Sequence, residues 1–94
     1  MCLIKSFQHK GLKRLYADGD RSKLPQDMVE RIEDILALLD EASDVKDLDR
    51  PSLRLHPLKG DLKGFWAVSV RANWRITFRY EIGNIFVVDF LDYH

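Results

Sequence analysis

The sequence predicts an α+β domain in which N-terminal helices pack on one face of an antiparallel-dominated twisted sheet. Three observations predict it. Met28, Val29, Ile32, Ile35, Leu36 and Leu39 recur at the i, i+3, i+4 spacing of one apolar helix face. From Phe65 onward, runs of β-branched and aromatic residues follow one another, separated by short turn-forming segments. Between the two halves stands Arg50-Pro51, and proline disfavours helix at the residue before it.

In chain order, Leu3 to Phe7 is short and partly alternating, the pattern of an edge strand. His9 to Ala17 carries Leu12, Leu15 and Tyr16 at helical spacing, with Gly19 placed to stop the helix. Asp18 to Ser22 has loop composition. Pro25 suits the first turn of the second helix, and Ser43 suits the cap of a further short turn through Leu48. Ser52 to Leu55 reads as a short strand, Phe65 to Val70 and Trp74 to Tyr80 as longer ones, and Gly83-Asn84 as the tight turn before a last strand from Ile85. In the Trp74 strand, period-two alternation sends Trp74, Ile76, Phe78 and Tyr80 to the core face. Arg75, Thr77 and Arg79 then fall on the face that the helices leave open. The final run, Ile85 to Leu91, is apolar except for Asp89, and it stops at Asp92-Tyr93-His94.

Ninety-four residues support one core and one domain, 1–94. With 46% hydrophobic and 32% charged residues, the composition is globular rather than disordered. No stretch approaches the ~20 apolar residues of a membrane span, and the lone Cys2 cannot form an internal disulfide. A soluble, cytoplasmic protein with no membrane partner is the expectation. The net charge of +0 hides an uneven distribution. Acids crowd Asp27 to Asp49, opposed only by Arg31 and Lys46, whereas bases from Arg50 to Arg79 are opposed only by Asp61. A negative helical side and a positive sheet side follow, and a positive side is what polyanion binding requires.

His56 lies in the segment Leu55-His-Pro-Leu-Lys-Gly60, a loop restrained by proline, with Lys59 three residues on. A positioned histidine is the commonest proton-transfer group near neutral pH. Together with Arg75 and the terminal Asp92, Tyr93 and His94, it supplies what metal-free RNA strand cleavage needs. One group takes the 2′-hydroxyl proton, another gives a proton to the leaving 5′-oxygen, and cations stabilise the phosphorane. Lysine and arginine serve that last need, arginine by holding two phosphate oxygens at once. Other readings of the same residues stay open. Two histidines and a carboxylate could ligate a metal, although H-x-x-H and C-x-x-C spacings are missing. A serine or cysteine hydrolase lacks its G-x-S-x-G, and the terminal trio could simply be solvated.

His56-Pro-Leu-Lys-Gly60, Val70-Arg-Ala-Asn-Trp-Arg-Ile-Thr-Phe78 and Asp92-Tyr-His94, in that order, resemble the HigB toxins, or plasmid-maintenance killer proteins, of the RelE/ParE superfamily. The likeness begins at Ile4-Lys-Ser-Phe7 and covers nearly the whole chain. It implies a RelE-like fold and the toxin half of a toxin–antitoxin pair. The implied activity is that of an mRNA interferase cutting messages in the ribosomal A site, metal-independent and without a cofactor, leaving 2′,3′-cyclic phosphate and 5′-hydroxyl ends. By the same resemblance His94 and Asp92 manage the proton transfers and His56 and Tyr93 assist or position. Lys59 and Arg75 stabilise phosphate; the strand alternation, rather than the resemblance, adds Arg79 as a cation on the same face able to meet RNA. The implied partners are a HigA-type helix-turn-helix antitoxin, the ribosome with its mRNA, and operator DNA reached only through the antitoxin complex. A ParE-like gyrase inhibitor and a non-catalytic partner module of a DNA-binding antitoxin are the alternatives on this fold.

Overall fold

A computed structural model describes residues 3–62 and 64–92, so Met1, Cys2, Lys63, Tyr93 and His94 lie outside the described residues. The elements are β1 (Leu3–Ile4), α1 (Lys10–Asp18), α2 (Val29–Glu41), a 3-10 turn (Val45–Leu48), β2 (His56–Pro57), a second 3-10 turn (Gly60–Leu62), β3 (Phe65–Arg71), β4 (Trp74–Glu81) and β5 (Asn84–Asp92). Five strands form one sheet in the order β1-β5-β4-β3-β2. All neighbours are antiparallel except the N-terminal edge strand, where β1 runs parallel to β5.

The helices form where the apolar periodicity lies. Leu12 and Leu15 of α1 are buried with Val29, Ile32, Ile35, Leu36 and Leu39 of α2. Against them pack Val68, Val70, Ile76, Phe78, Ile85, Val88 and Phe90 from one face of the sheet. Helix α1 starts at His9, whose Nδ1 accepts the Leu12 N–H at 3.2 Å, and ends at Gly19, left-handed at φ 71°.

Four local expectations shift. Helix α2 begins at Val29, so Pro25 sits in the preceding turn, where its carbonyl accepts the Met28 N–H at 3.1 Å. The cap of the first 3-10 turn is Asp44, accepting from Lys46 N, rather than Ser43. Ser52 to Leu55 is not a strand. Pro51 to Arg54 fold into a turn that buries Leu53, whose carbonyl accepts the Ser69 N–H at 2.7 Å, and the pairing residues are instead His56 and Pro57. The β4–β5 turn is Ile82-Gly83, both at positive φ (44° and 76°), and Asn84 already pairs with Glu81.

Strand β5 does not alternate regularly. Thr77 pairs with Asp89 but Arg79 pairs with Phe86, so one extra residue is inserted in β5. Val87 takes it up at φ 47°, a conformation a β-branched residue adopts only under constraint. The constraint comes from the N-terminal segment. Ser6 Oγ accepts the Val87 N–H at 2.8 Å, Ser6 O accepts the Val88 N–H at 3.1 Å, and Val88 O accepts the Gln8 N–H at 2.8 Å. The bulge sends Ile85, Val88 and Phe90 to the core while Phe86, Asp89 and Leu91 fall on the open face.

Two consequences are measurable. Ser6→Ala leaves the partly buried Val87 N–H without its side-chain acceptor and should cost about 1–3 kcal/mol in urea unfolding with an unchanged m-value. Tyr16 on α1 donates to Asp40 Oδ1 on α2 at 2.7 Å, and that bond, then burial and the Asp40 charge, raise the tyrosine above its usual 10.0. A raised acid favours its protonated form in the fold, so the stabilisation is present below about pH 10 and is lost as pH rises through the folded value. Tyr16→Phe should therefore cost at most about 1 kcal/mol at pH 7, because the pair is solvent-exposed, and the difference from the parent should vanish in strong alkali.

Candidate functional site

The helices cover one face of the sheet and leave the other open. Paired residues on neighbouring strands share a face, and His56↔Ala67, Ala67↔Thr77 and Thr77↔Asp89 are in register. These pairs make one transverse row, His56–Ala67–Thr77–Asp89, on the open side. Arg75 with Ser69 and Leu91 forms the row towards the end of β5, and Arg79 with Phe65 and Phe86 forms the row behind. Three residues read from the sequence as site candidates, His56, Arg75 and Arg79, thus share one face.

His56 is exposed, and its Nδ1 lies 3.0 Å from the Arg54 carbonyl oxygen. A carbonyl only accepts, so Nδ1 carries the hydrogen and Nε2 of the neutral ring keeps its lone pair. Arg54 itself is left-handed at φ 49°. The turn that replaces the expected strand is therefore what supplies the carbonyl. His56 sits in β2 rather than in a loop, which ties its backbone to the sheet.

Arg75 Nη1 donates to the carbonyls of Ala72 (2.6 Å) and Trp74 (3.1 Å), so one nitrogen ties the guanidinium to the β3–β4 turn. Its other N–H groups make no hydrogen bond among the described residues. Arg79 lies with its guanidinium carbon 5.0 Å from the centre of the Phe86 ring and Nη2 3.5 Å from Glu81 Oε2. Its Nε is buried with no hydrogen-bond partner among the described residues. Lys59 follows β2 and is exposed, with no side-chain partner among the described residues.

Asp92 is exposed at the end of β5 and pairs with Trp74, a residue of the helix-facing side. It stands one residue beyond Leu91 of the open face, at the margin of the arginine row. Tyr93 and His94 lie outside the described residues.

Sequence reasoning missed the middle of the face. Phe65, Thr77, Asp89 and Leu91 line a concavity of about 330 Å³ there, with Leu58 and Val87 completing its apolar walls. Thr77 is 5% exposed at its floor. Asp89 is half-buried, and its Oδ1 accepts its neighbour Phe90's N–H at 2.9 Å. The signal available in the sequence was Asp89 as the one charge within an otherwise apolar run. The expected positive sheet side is therefore interrupted by a carboxylate. One of its bases is also bridged to the acidic half, since Arg71 Nη1 meets Asp27 Oδ2 at 2.6 Å.

The same arrangement of helices and sheet is found in other solved structures. A YoeB dimer structure from Staphylococcus aureus aligns with a TM-score of 0.60 at 17% identity, covering 99% of this chain and 97% of that one. A YafQ mutant from E. coli aligns at 0.58 and 14% identity, covering 93% and 88%. Those likenesses concern the fold. In sequence, the chain is 48% identical over 92 residues to the endoribonuclease HigB of Proteus vulgaris, covering 98% of this chain and all of the relative (100%). The family model described as "RelE-like toxin of type II toxin-antitoxin system HigB" matches residues 5–94. This chain therefore belongs to the HigB-like family of RelE-like toxins.

Proposed function

We propose that the chain is an endoribonuclease that cuts mRNA in the ribosomal A site by attack of a 2′-hydroxyl on the adjacent phosphate. The observation that carries this reading is His56, on the open sheet face with its Nδ1 held by the Arg54 carbonyl and Nε2 left as acceptor, alongside Arg75 and Arg79. The similarity to the Proteus vulgaris endoribonuclease HigB supports the same chemistry. The 2′-oxygen gives up its proton and bonds to phosphorus, the bond to the 5′-oxygen breaks, and that oxygen takes up a proton. The products are a 2′,3′-cyclic phosphate and a 5′-hydroxyl, and no metal enters the balance.

His94 and Asp92 are assigned the two proton transfers and Tyr93 a positioning part. The Nε2 of His56 suits it to receive or relay the first proton. Lys59, with three ammonium donors, and the uncommitted N–H groups of Arg75 meet the extra charge on the phosphorane. Arg79 holds the strand further along the same face. As the toxin of a two-component system the chain has an antitoxin as its partner. We assign that partner the HigA type, with a helix-turn-helix domain through which alone the complex reaches operator DNA. The chain has no net charge, and free RNA is held chiefly by charge. A ribosome that presents the message already oriented supplies what the protein's own field does not.

Mapping 5′ ends of a defined message on translating ribosomes, in excess chelator, is the direct test. Cuts within codons are expected with the parent, absent without ribosomes and absent with His94→Ala. If the variant carrying alanine at His56, Asp92 and His94 still stops growth, the nuclease reading falls, and gyrase inhibition or a purely partner-binding role replaces it. His56→Gln separates chemistry from folding. The residue is exposed, so the melting temperature should stay within about a degree or two of the parent, while single-turnover cleavage slows by roughly 10²- to 10⁴-fold.

A further inference from the structure

The concavity in the middle of the open face has a chemistry that phosphate does not fit. Its walls are Leu58, Phe65, Val87 and Leu91, and its polar atoms are the Thr77 hydroxyl, the Gln8 amide and the Asp89 carboxylate. A half-buried carboxylate repels phosphate, which leaves the phosphates of a bound strand to Arg75 and Arg79 in the adjoining rows. An apolar slot with a carboxylate in its lining is instead suited to an unstacked nucleobase, laid against an aromatic ring and read at its edge. Its volume of about 330 Å³ is at the small end of ligand sites, large enough for a base and not for a folded element.

The edge that a carboxylate selects follows from donor patterns. Asp89 offers only acceptors, and Phe90 N–H uses one position on Oδ1, leaving lone pairs on both oxygens. On its Watson–Crick edge guanine presents two adjacent donors, N1–H and the N2 amino group. Adenine and cytosine present one amino group beside a ring-nitrogen acceptor, and uracil presents one N–H between two carbonyls. Each of those places an acceptor against the carboxylate. We infer that this concavity seats a guanine of the single-stranded RNA, with Asp89 accepting from N1–H and the N2 amino group and the ring lying against Phe65. Guanine O6 then meets the Thr77 hydroxyl or the Gln8 amide, both able to donate. The row His56–Ala67–Thr77–Asp89 sets the subsite three strands from His56, roughly 14 Å at the usual strand spacing. The subsite therefore selects which message segment lies over the histidine. This inference rests on the open face being the RNA surface.

Asp89→Asn keeps the shape and replaces one acceptor by a donor, which complements the amino group and ring nitrogen of adenine or cytosine instead of guanine. Two measurements are made on the parent, Asp89→Asn and Asp89→Ala. In the first, trinucleotides with 2′-deoxy sugars and G, A, C or U at the centre are titrated while the amide signals of Thr77 and Asp89 are followed. The G trinucleotide should bind the parent about 5- to 150-fold more tightly than the others. Asp89→Asn should favour A and C over G, and Asp89→Ala should lose the preference. In the second, cut sites on translating ribosomes should show the same order. Uniform binding by all four trinucleotides, with cut sites unchanged in Asp89→Asn, overturns the subsite. Guanosine 5′-monophosphate binding as tightly as the G trinucleotide would assign the slot to a free nucleotide and overturn the RNA placement. Selective G binding without any cleavage would instead sink the nuclease reading and leave the subsite standing.

Discussion

The Ser6 contact to the β5 backbone is the constraint on which the arrangement of the face depends. A strand that gains one residue loses a ladder partner, and the unpaired N–H must find an acceptor or the bulge is too costly to keep. Ser6 Oγ is that acceptor for Val87, and the parallel edge strand β1 brings it there through Leu3↔Asn84 and Ile4↔Ile85. With the bulge in place, Ile85 and Val88 both reach the core, and Asp89 reaches the open side. Without it, alternation counted from Ile85 would drive Asp89 among Ile76, Phe78 and the helices. An unpaired carboxylate there would be worth several kcal/mol of destabilisation. The N-terminal segment is thus part of the site, since it fixes which residues of β5 reach the open face.

The legible parts of the chain were those governed by a single period. Helix α2 was plain because its five buried residues all sit at helical spacing, and β4 was plain because Trp74 to Tyr80 alternate without interruption. Elements decided by one backbone conformation were not. The turn at Pro51 to Arg54 carries Leu53 and Leu55, which look like strand residues, but Leu53 is buried by a turn whose left-handed residue is an arginine. Ile82 is β-branched, 91% exposed and left-handed, so the β4–β5 turn falls one residue earlier than Gly83-Asn84 suggests. Asp89 was visible as an anomaly, yet its face could not be assigned because the inserted residue leaves no compositional mark.

The candidate site was legible in residue type and less so in geometry. His56, Arg75 and Arg79 stood out as a histidine beside a proline and as arginines on the polar side of an alternating strand. The structure adds what fixes them: the Arg54 carbonyl on Nδ1, the β3–β4 turn carbonyls on Arg75 and the Phe86 ring under Arg79. For His56 and Arg75 the anchor is backbone rather than an acid, so the histidine keeps a free acceptor and Arg75 its charge, whereas Arg79 also stands 3.5 Å from Glu81 Oε2. Among the described residues, three of the four positive-φ residues other than glycine, Arg54, Ala72 and Val87, lie beside these groups. Strain of this kind persists where surrounding contacts impose it, and it concentrates at functional sites.

Electrostatics decides how such a face can work. A surface that gripped RNA by charge would need several uncompensated cations, and its affinity would fall steeply with salt. Here Arg79 stands near Glu81, and Asp89 sits between the arginine rows. What remains is local charge of both signs at defined positions, which discriminates among orientations more than it attracts. A strand delivered by another particle gains from that discrimination without needing the attraction, since its loss of translational freedom has already been met. The mixed charges of the open face suit the proposed presentation of the strand by a ribosome, with selectivity placed in the toxin and affinity placed elsewhere.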